Sequence, residues 1–246
     1  MNVLLKYLLL SLLFFSSCQS AIESQRESIK LFDTSLTSLN KALDSSILDF
    51  QQLKDSLSQL VKIDYDTTLW TDIKFLEPSI ITDMRYATSN NFVEEQMYDC
   101  GRCFLRPEVA KAIQSAHKKL QTQGLGLKMY DCFRPRPIQW KLWKKVPDPR
   151  YVSDPRKGSM HNRGAAVDLT VVDREGKELD MGTDFDFFGR RAYTTNMDLP
   201  QEILGNRKIL QDVLIEVGFR TIRTEWWHFA FTKKRYELSD MLWECE

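Results

Sequence analysis

Residues 19–63 contain neither glycine nor proline, so nothing in this stretch supplies a left-handed turn or removes a backbone donor. Apolar residues recur at Ile29, Phe32, Leu36, Leu39, Leu43, Ile47, Phe50, Leu53, Leu57 and Leu60, in steps of mostly three or four close to a heptad. Ser, Asp, Gln and Lys fill the other face. The pattern predicts one long amphipathic helix, or a helical hairpin, as a stalk or linker over residues 18–66. Fully helical, it reaches roughly 60 Å at 1.5 Å per residue, enough to hold a domain away from a membrane. A helix folded against that domain fits the pattern equally well, and a poorly ordered Ser-rich linker is the alternative to any helix. The heptad-like seam also permits self-association through residues 22–61.

The segment before it, "MNVLLKYLLLSLLFFSSCQS", reads as a targeting sequence. Lys6 supplies a basic n-region and Leu8–Phe15 an apolar stretch too short to span a bilayer comfortably. Ser16 and Ser17 precede Cys18, an arrangement that resembles a bacterial lipobox. Residues 1–17 are then a signal peptide and Cys18 a lipidation site, giving an exported, membrane-anchored lipoprotein that faces the periplasm or cell exterior. An ordinary secretory signal with an incidental cysteine is the alternative. Either way Cys100, Cys103, Cys132 and Cys245 form an even set in a disulfide-permissive compartment, with three pairings open. "CGRC" lacks a second pair at zinc-finger spacing and a thioredoxin-like context, which leaves a structural disulfide or a buried thiol.

At 246 residues and 43% hydrophobic, the chain has room for one sizeable domain, placed at residues 67–246. Its formal charge is zero, so no basic field exists to attract nucleic acid. "SIITDMRYAT" (79–88) reads as a strand leaving into a loop, and "LGLKMYDCF" (125–133), "AAVDLTVVD" (165–173) and "FRTIRTEWWHFAF" (219–231) read as strands. Pro107–Gln123 and Gln201–Val217 read as helices stopped by Gly124 and Gly218. His117, among Lys and Gln, reads as an exposed helical residue. Irregular interleaving with turns between strands favours an α+β fold with a mostly antiparallel central sheet flanked by helices.

Two polar clusters interrupt this apolar texture. "SMHNRGAAVDL" carries Ser159, His161 and Asp168, and "EWWH" carries Glu225 and His228. Two imidazoles and a carboxylate make a three-ligand set of the kind catalytic zinc accepts, with a fourth position for water. Glu225 is then the natural non-ligand base. The alternative is a set of hydrogen-bonded polar residues with no metal, and the ligand spacing alone does not decide. In "YDCFRPRP", Arg134 sits at a strand end before a rigid turn, where it can aim a fixed cation at a developing oxyanion. A surface pairing with a nearby Asp is the alternative.

Together "YDCFRP", "SMHNRGAAVDL" and "EWWH", in this order, resemble the zinc D-alanyl-D-alanine dipeptidases of the vancomycin-resistance type, which share a fold with the hedgehog signalling domain. "DMRYATSNNF" and "ELDMGTDFDFF" resemble two further landmarks, so the likeness covers residues 70–235. It implies one Zn2+ per chain held by His161, Asp168 and His228, with Glu225 as general base and Arg134 stabilising the tetrahedral intermediate. It further implies that Ser159, Tyr86 and Asp186 grip the termini of a small D,D-dipeptide, with Asp184 competing for the place of Asp186. The family usually has a small residue where Cys132 stands, and its compact cytoplasmic members lack a counterpart of residues 19–63.

The expected function is therefore hydrolysis of D-alanyl-D-alanine in cell-wall peptide metabolism. Two rivals are a D,D-carboxypeptidase or peptidoglycan endopeptidase of the same fold, and a non-catalytic hedgehog-like zinc module. One geometric condition follows from "EWWH". Residues i and i+3 of a regular strand face opposite ways, so Glu225 must precede the strand or sit on a bulge to share a site with His228.

Overall fold

The computed structural model describes the backbone of residues 3–60 and 63–245, with side chains for residue 23 and residues 25–54 and 63–245. It divides into two units, residues 1–63 and 64–246. The first is a single helix, α1 (Val3–Leu60), unbroken over 58 residues, where a hairpin was the other reading. The signal segment and Cys18 lie outside the described side chains. Among the described residues no helix is long and apolar enough to cross a membrane.

The second unit is α+β. A small antiparallel pair joins β1 (Thr71–Asp72) to β3 (Phe104–Leu105), with α2 (Ile73–Leu76) following β1 directly. The main sheet contains β2 (Ile81–Thr82), β4 (Gly126–Asp131), β5 (Ala166–Val172), β6 (Phe219–Thr221) and β7 (His228–Phe231), in the order β2-β4-β5-β7-β6. β2 runs parallel to β4, and the other neighbours are antiparallel. Helices α3 (Pro107–Gln121) and α5 (Gln201–Glu216) pack on this sheet and on each other. All seven residues of β5 are buried, as expected of the central strand. Val167, Leu169 and Val171 alternate with Asp168 and Thr170, so one face of β5 joins the apolar core and the other turns polar groups toward the site.

Three expectations need correcting. The stretch 219–231 is a hairpin of two short strands, because residues 222–227 leave the ladder between β6 and β7. The stretch 79–88 does leave a short strand, β2, for a loop, which carries a 3-10 turn at Arg85–Ala87. A further helix, α4 (Arg136–Lys145), follows β4; Pro137 sits in its first turn, where a missing N–H costs nothing. His117 is buried, not exposed: its Nδ1 accepts the N–H of Leu127 at 3.0 Å and its Nε2 lies 3.0 Å from Ser79 Oγ.

Two disulfides close the unit, Cys100–Cys245 and Cys103–Cys132. The first ties down the C-terminal tail, whose Trp243 packs against Tyr98 and Phe104. The tail also accepts hydrogen bonds from Arg106 and Arg163 at the carbonyls of Glu237 and Tyr236.

Candidate active site

Three adjacent strands place three polar side chains in one row. Asp131 pairs in register with Asp168, and Asp168 with His228. The Asp131 pairing depends on a register shift between Met129 and Asp131, which brings Asp131 rather than Tyr130 opposite Asp168. The fourth member, His161, opens a 3-10 turn that ends at Gly164 with φ 67°. A Cβ there would lie 2.4 Å from the Trp70 ring, so only glycine closes this turn against the aromatic cluster.

The three candidate ligand atoms form a compact triangle. His161 Nε2 lies 3.1 Å from His228 Nδ1 and 3.3 Å from Asp168 Oδ1, and His228 Nδ1 lies 2.9 Å from Asp168 Oδ1. Ligand bonds of about 2.0–2.2 Å in a tetrahedral zinc site imply edges of roughly 3.3–3.6 Å, so these residues fit one such ion after slight expansion. His161 Nδ1 lies 2.7 Å from the carbonyl of Cys132, and donation to it leaves Nε2 free as a ligand. Burial opposes the charge of Asp168, but the two imidazoles beside it hold its carboxyl well below the usual range.

Arg134 reaches the same place from the end of β4. Its Nε and Nη2 donate to Asp131 Oδ2 at 2.9 and 2.6 Å, and its Nη1 donates to Gln139 Oε1 at 3.1 Å. The guanidinium lies over the Tyr86 ring at 4.8 Å and comes within 3.9 Å of Asp168 Oδ2. Burial disfavours its charge, yet Asp131 outweighs that and keeps Arg134 firmly protonated. Glu225 lies in the 222–227 link, off the ladder, and so meets the condition set by strand geometry. Burial raises its carboxyl above the ordinary glutamate value, while His228 pulls the other way.

A cavity of about 370 Å³ gathers these groups, with Tyr86, Arg134, Asp168, Asp186, Glu225 and His228 among its walls. Ser159 and His161 line it too. Asp186 is half-buried with φ 60°, a backbone conformation that costs strain outside glycine. Tyr86 Oη donates to its carboxylate at 3.0 Å. Burial, then the charge of Asp168, lifts the Asp186 carboxyl well above its ordinary range. Asp184 is exposed and lines neighbouring cavities.

A family model described as D-ala-D-ala dipeptidase matches residues 66–242. The chain belongs to the D-ala-D-ala dipeptidase family. The D-alanyl-D-alanine dipeptidase of Escherichia coli K12 is 37% identical over 164 residues, covering 67% of this chain and 85% of that one. The enzyme of the same name from Enterococcus faecalis V583 is 28% identical over 63% of this chain and 87% of its own. Among solved structures, a vancomycin-resistance D,D-pentapeptidase in complex with Zn(II) aligns with 52% of this chain and 73% of its own, at 13% identity and a TM-score of 0.35.

Within this family member, the structure brings every sequence-predicted site residue of the folded unit to one cavity. It adds residues that sequence reasoning passed over. Asp131 stood in the quoted "YDCFRPRP" motif, three residues before Arg134, and its role as the anchor of that arginine went unread. Asn162 holds Ser159 through paired contacts, Ser159 N–H to Oδ1 at 2.8 Å and Asn162 N–H to Ser159 Oγ at 3.2 Å. No sequence signal marks Gln139 or Tyr98, which touch the Arg134–Asp131 pair from α4 and from a distant loop.

Proposed function

We propose that this chain hydrolyses the free D-alanyl-D-alanine dipeptide, with one zinc ion held by His161, Asp168 and His228. The observation that carries this reading is the single cavity of about 370 Å³ joining a three-ligand set, a raised carboxylate, a fixed arginine and a strained acid. Zinc bound there would polarise the scissile carbonyl and acidify a water. Glu225 takes the proton that water loses and hands it to the departing amine, as one C–O bond forms and one C–N bond breaks. Its raised proton affinity suits both halves of that transfer. Arg134 has given three of its five N–H donors to Asp131 and Gln139, which leaves two for the developing oxyanion. Asp186 offers its carboxylate to the substrate ammonium, which would replace the proton that its surroundings favour. Ser159, fixed by Asn162, offers a donor to the substrate carboxylate.

The direct test is to assay the metal-loaded protein on free dipeptide and on a stem pentapeptide. A preference for the pentapeptide would reassign the chain to a D,D-carboxypeptidase. Glu225→Ala should lose at least about 10³-fold in kcat while retaining one zinc per chain by metal analysis. Near-normal turnover in that variant would remove Glu225 from the reaction.

We also propose export with lipid attachment at Cys18, facing the periplasm or exterior. The two disulfides support an oxidising compartment. Labelling with a clickable fatty acid should mark the native chain and fail on Cys18→Ala. Label on both would overturn the assignment.

A further inference from the structure

Helix α1 leaves a long apolar seam in solvent. Ile29, Phe32, Leu36, Leu39, Leu43, Phe50 and Leu53 are 47–70% exposed, though each is large and apolar. Monomers rarely leave a stripe of this kind uncovered. Numbered as a heptad, positions 29, 36, 43, 50 and 57 are a and positions 32, 39, 46, 53 and 60 are d. Every a position is apolar, and Ser46 is the one polar residue at d.

We propose that residues 29–60 pair with the same residues of a second copy as a parallel, in-register, two-stranded coiled coil. The proposal stands apart from the catalytic reading and uses none of its residues. Leu at d positions favours two strands. The flanking positions choose the orientation. In a parallel pair each g residue meets the e residue five positions on in the partner. Asp49 then meets Lys54, Ala42 meets Ile47, and Ser35 meets Asn40, so charges oppose and like polarities meet. An antiparallel pair would set Asn40 against Ile47. It would also pack Ser46 against an apolar layer, whereas the parallel pair sets Ser46 against itself. That layer is already satisfied within each helix, because Ser46 Oγ donates to the carbonyl of Ala42 at 3.0 Å. The Ser46 layer lies between the Leu43 and Phe50 layers, so the in-register parallel pair is the arrangement that keeps serine off an apolar partner.

The test uses the full chain in mild detergent with Cys18→Ser, which removes the one cysteine outside the two disulfides. Sedimentation equilibrium should give twice the 28.8 kDa chain mass. On oxidation, Phe32→Cys, a d position near one end, should form a covalent dimer. Thr34→Cys, on the outer face, should not. Leu39→Asp with Leu43→Asp should halve the mass and leave kcat/KM on the dipeptide unchanged. A monomeric or trimeric parent, equal cross-linking at both cysteines, or no cross-link at Phe32→Cys would each overturn the proposal. So would a double variant that keeps its mass and instead releases the chain from phosphatidylglycerol vesicles, since lipid would then cover the seam.

Discussion

Asp131 is the residue on which the two halves of the site depend. It is fully buried, takes two N–H groups of Arg134 and the hydroxyl of Tyr98, and lies 3.5 Å from His161 Nδ1. Replacing it with Asn keeps the shape and strips the balancing charge from a buried guanidinium. Asp131→Asn should lower kcat/KM by about 10–100-fold and stability by roughly 3 kcal/mol, read by dipeptide kinetics and urea melts. A variant with normal kcat/KM would show that Arg134 orients itself. His117 carries the pH dependence outside the site. Burial lowers its pKa, opposed by the nearby Glu77. The unfolded chain takes up that proton near 6.5 and the folded chain only lower, so between the two values the unfolded state binds more protons and stability rises with pH. The contribution is complete above about 6.5 and is lost as pH falls through the folded value, because a proton on Nδ1 ends its bond from Leu127 N–H. His117→Asn should flatten the stability profile between pH 7 and 5, and an unflattened profile would place the acid sensitivity elsewhere. The signal for its burial was present: His117 stands one turn from Ile113 and Leu120 on the buried side of α3, and neighbouring lysines obscured it.

Among elements, the segment between β5 and α5 is the one whose shape the site needs and whose shape the sequence hides. It bears Asp186 and has no regular structure beyond a turn at Arg190–Ala192. Its conformation is set from α5, where buried Arg207 donates to the carbonyls of Met181, Arg191 and Tyr193 at 2.8, 2.9 and 3.1 Å. Burial and the nearby Arg191 pull the Arg207 pKa down to about 10, which leaves it charged at neutral pH. Arg207→Met strips three carbonyls of their partner and frees the strained Asp186. It should raise KM for the dipeptide about tenfold with a smaller change in kcat, leave zinc content intact, and destabilise by roughly 3 kcal/mol. An unchanged KM would mean that Asp186 is held by Tyr86 alone. Helical periodicity made α3 and α5 legible to within a few residues, because each buries one repeating face, and mostly apolar runs bounded by turn residues did the same for β4 and β5, which are buried along almost their whole length. Short elements carry no period. The hairpin around Glu225 was therefore read as one longer strand, and the prolines that open α4 as a rigid turn.

At the scale of the whole molecule, the chain divides into two units, a long helix and an α+β unit with its own core. Every buried side chain among the described residues lies at or after Trp70. The disulfide pairing was beyond sequence reasoning, since Cys100 and Cys245 meet across 145 residues and four cysteines admit three arrangements. The boundary can be drawn from contacts: Asp64 pairs with Arg102 at 2.7 Å, and Tyr65 packs on Phe104, so a cut must spare both. A chain of residues 64–246 should fold alone, with both disulfides formed and urea stability within about 0.5 kcal/mol of the parent. Its kcat/KM on the free dipeptide should equal that of the full chain, because every residue assigned to the candidate site lies within residues 64–246. Its mass should be that of a monomer even where the parent is a dimer. Loss of activity on truncation, with zinc still bound, would overturn this prediction and make residues 1–63 a requirement for turnover.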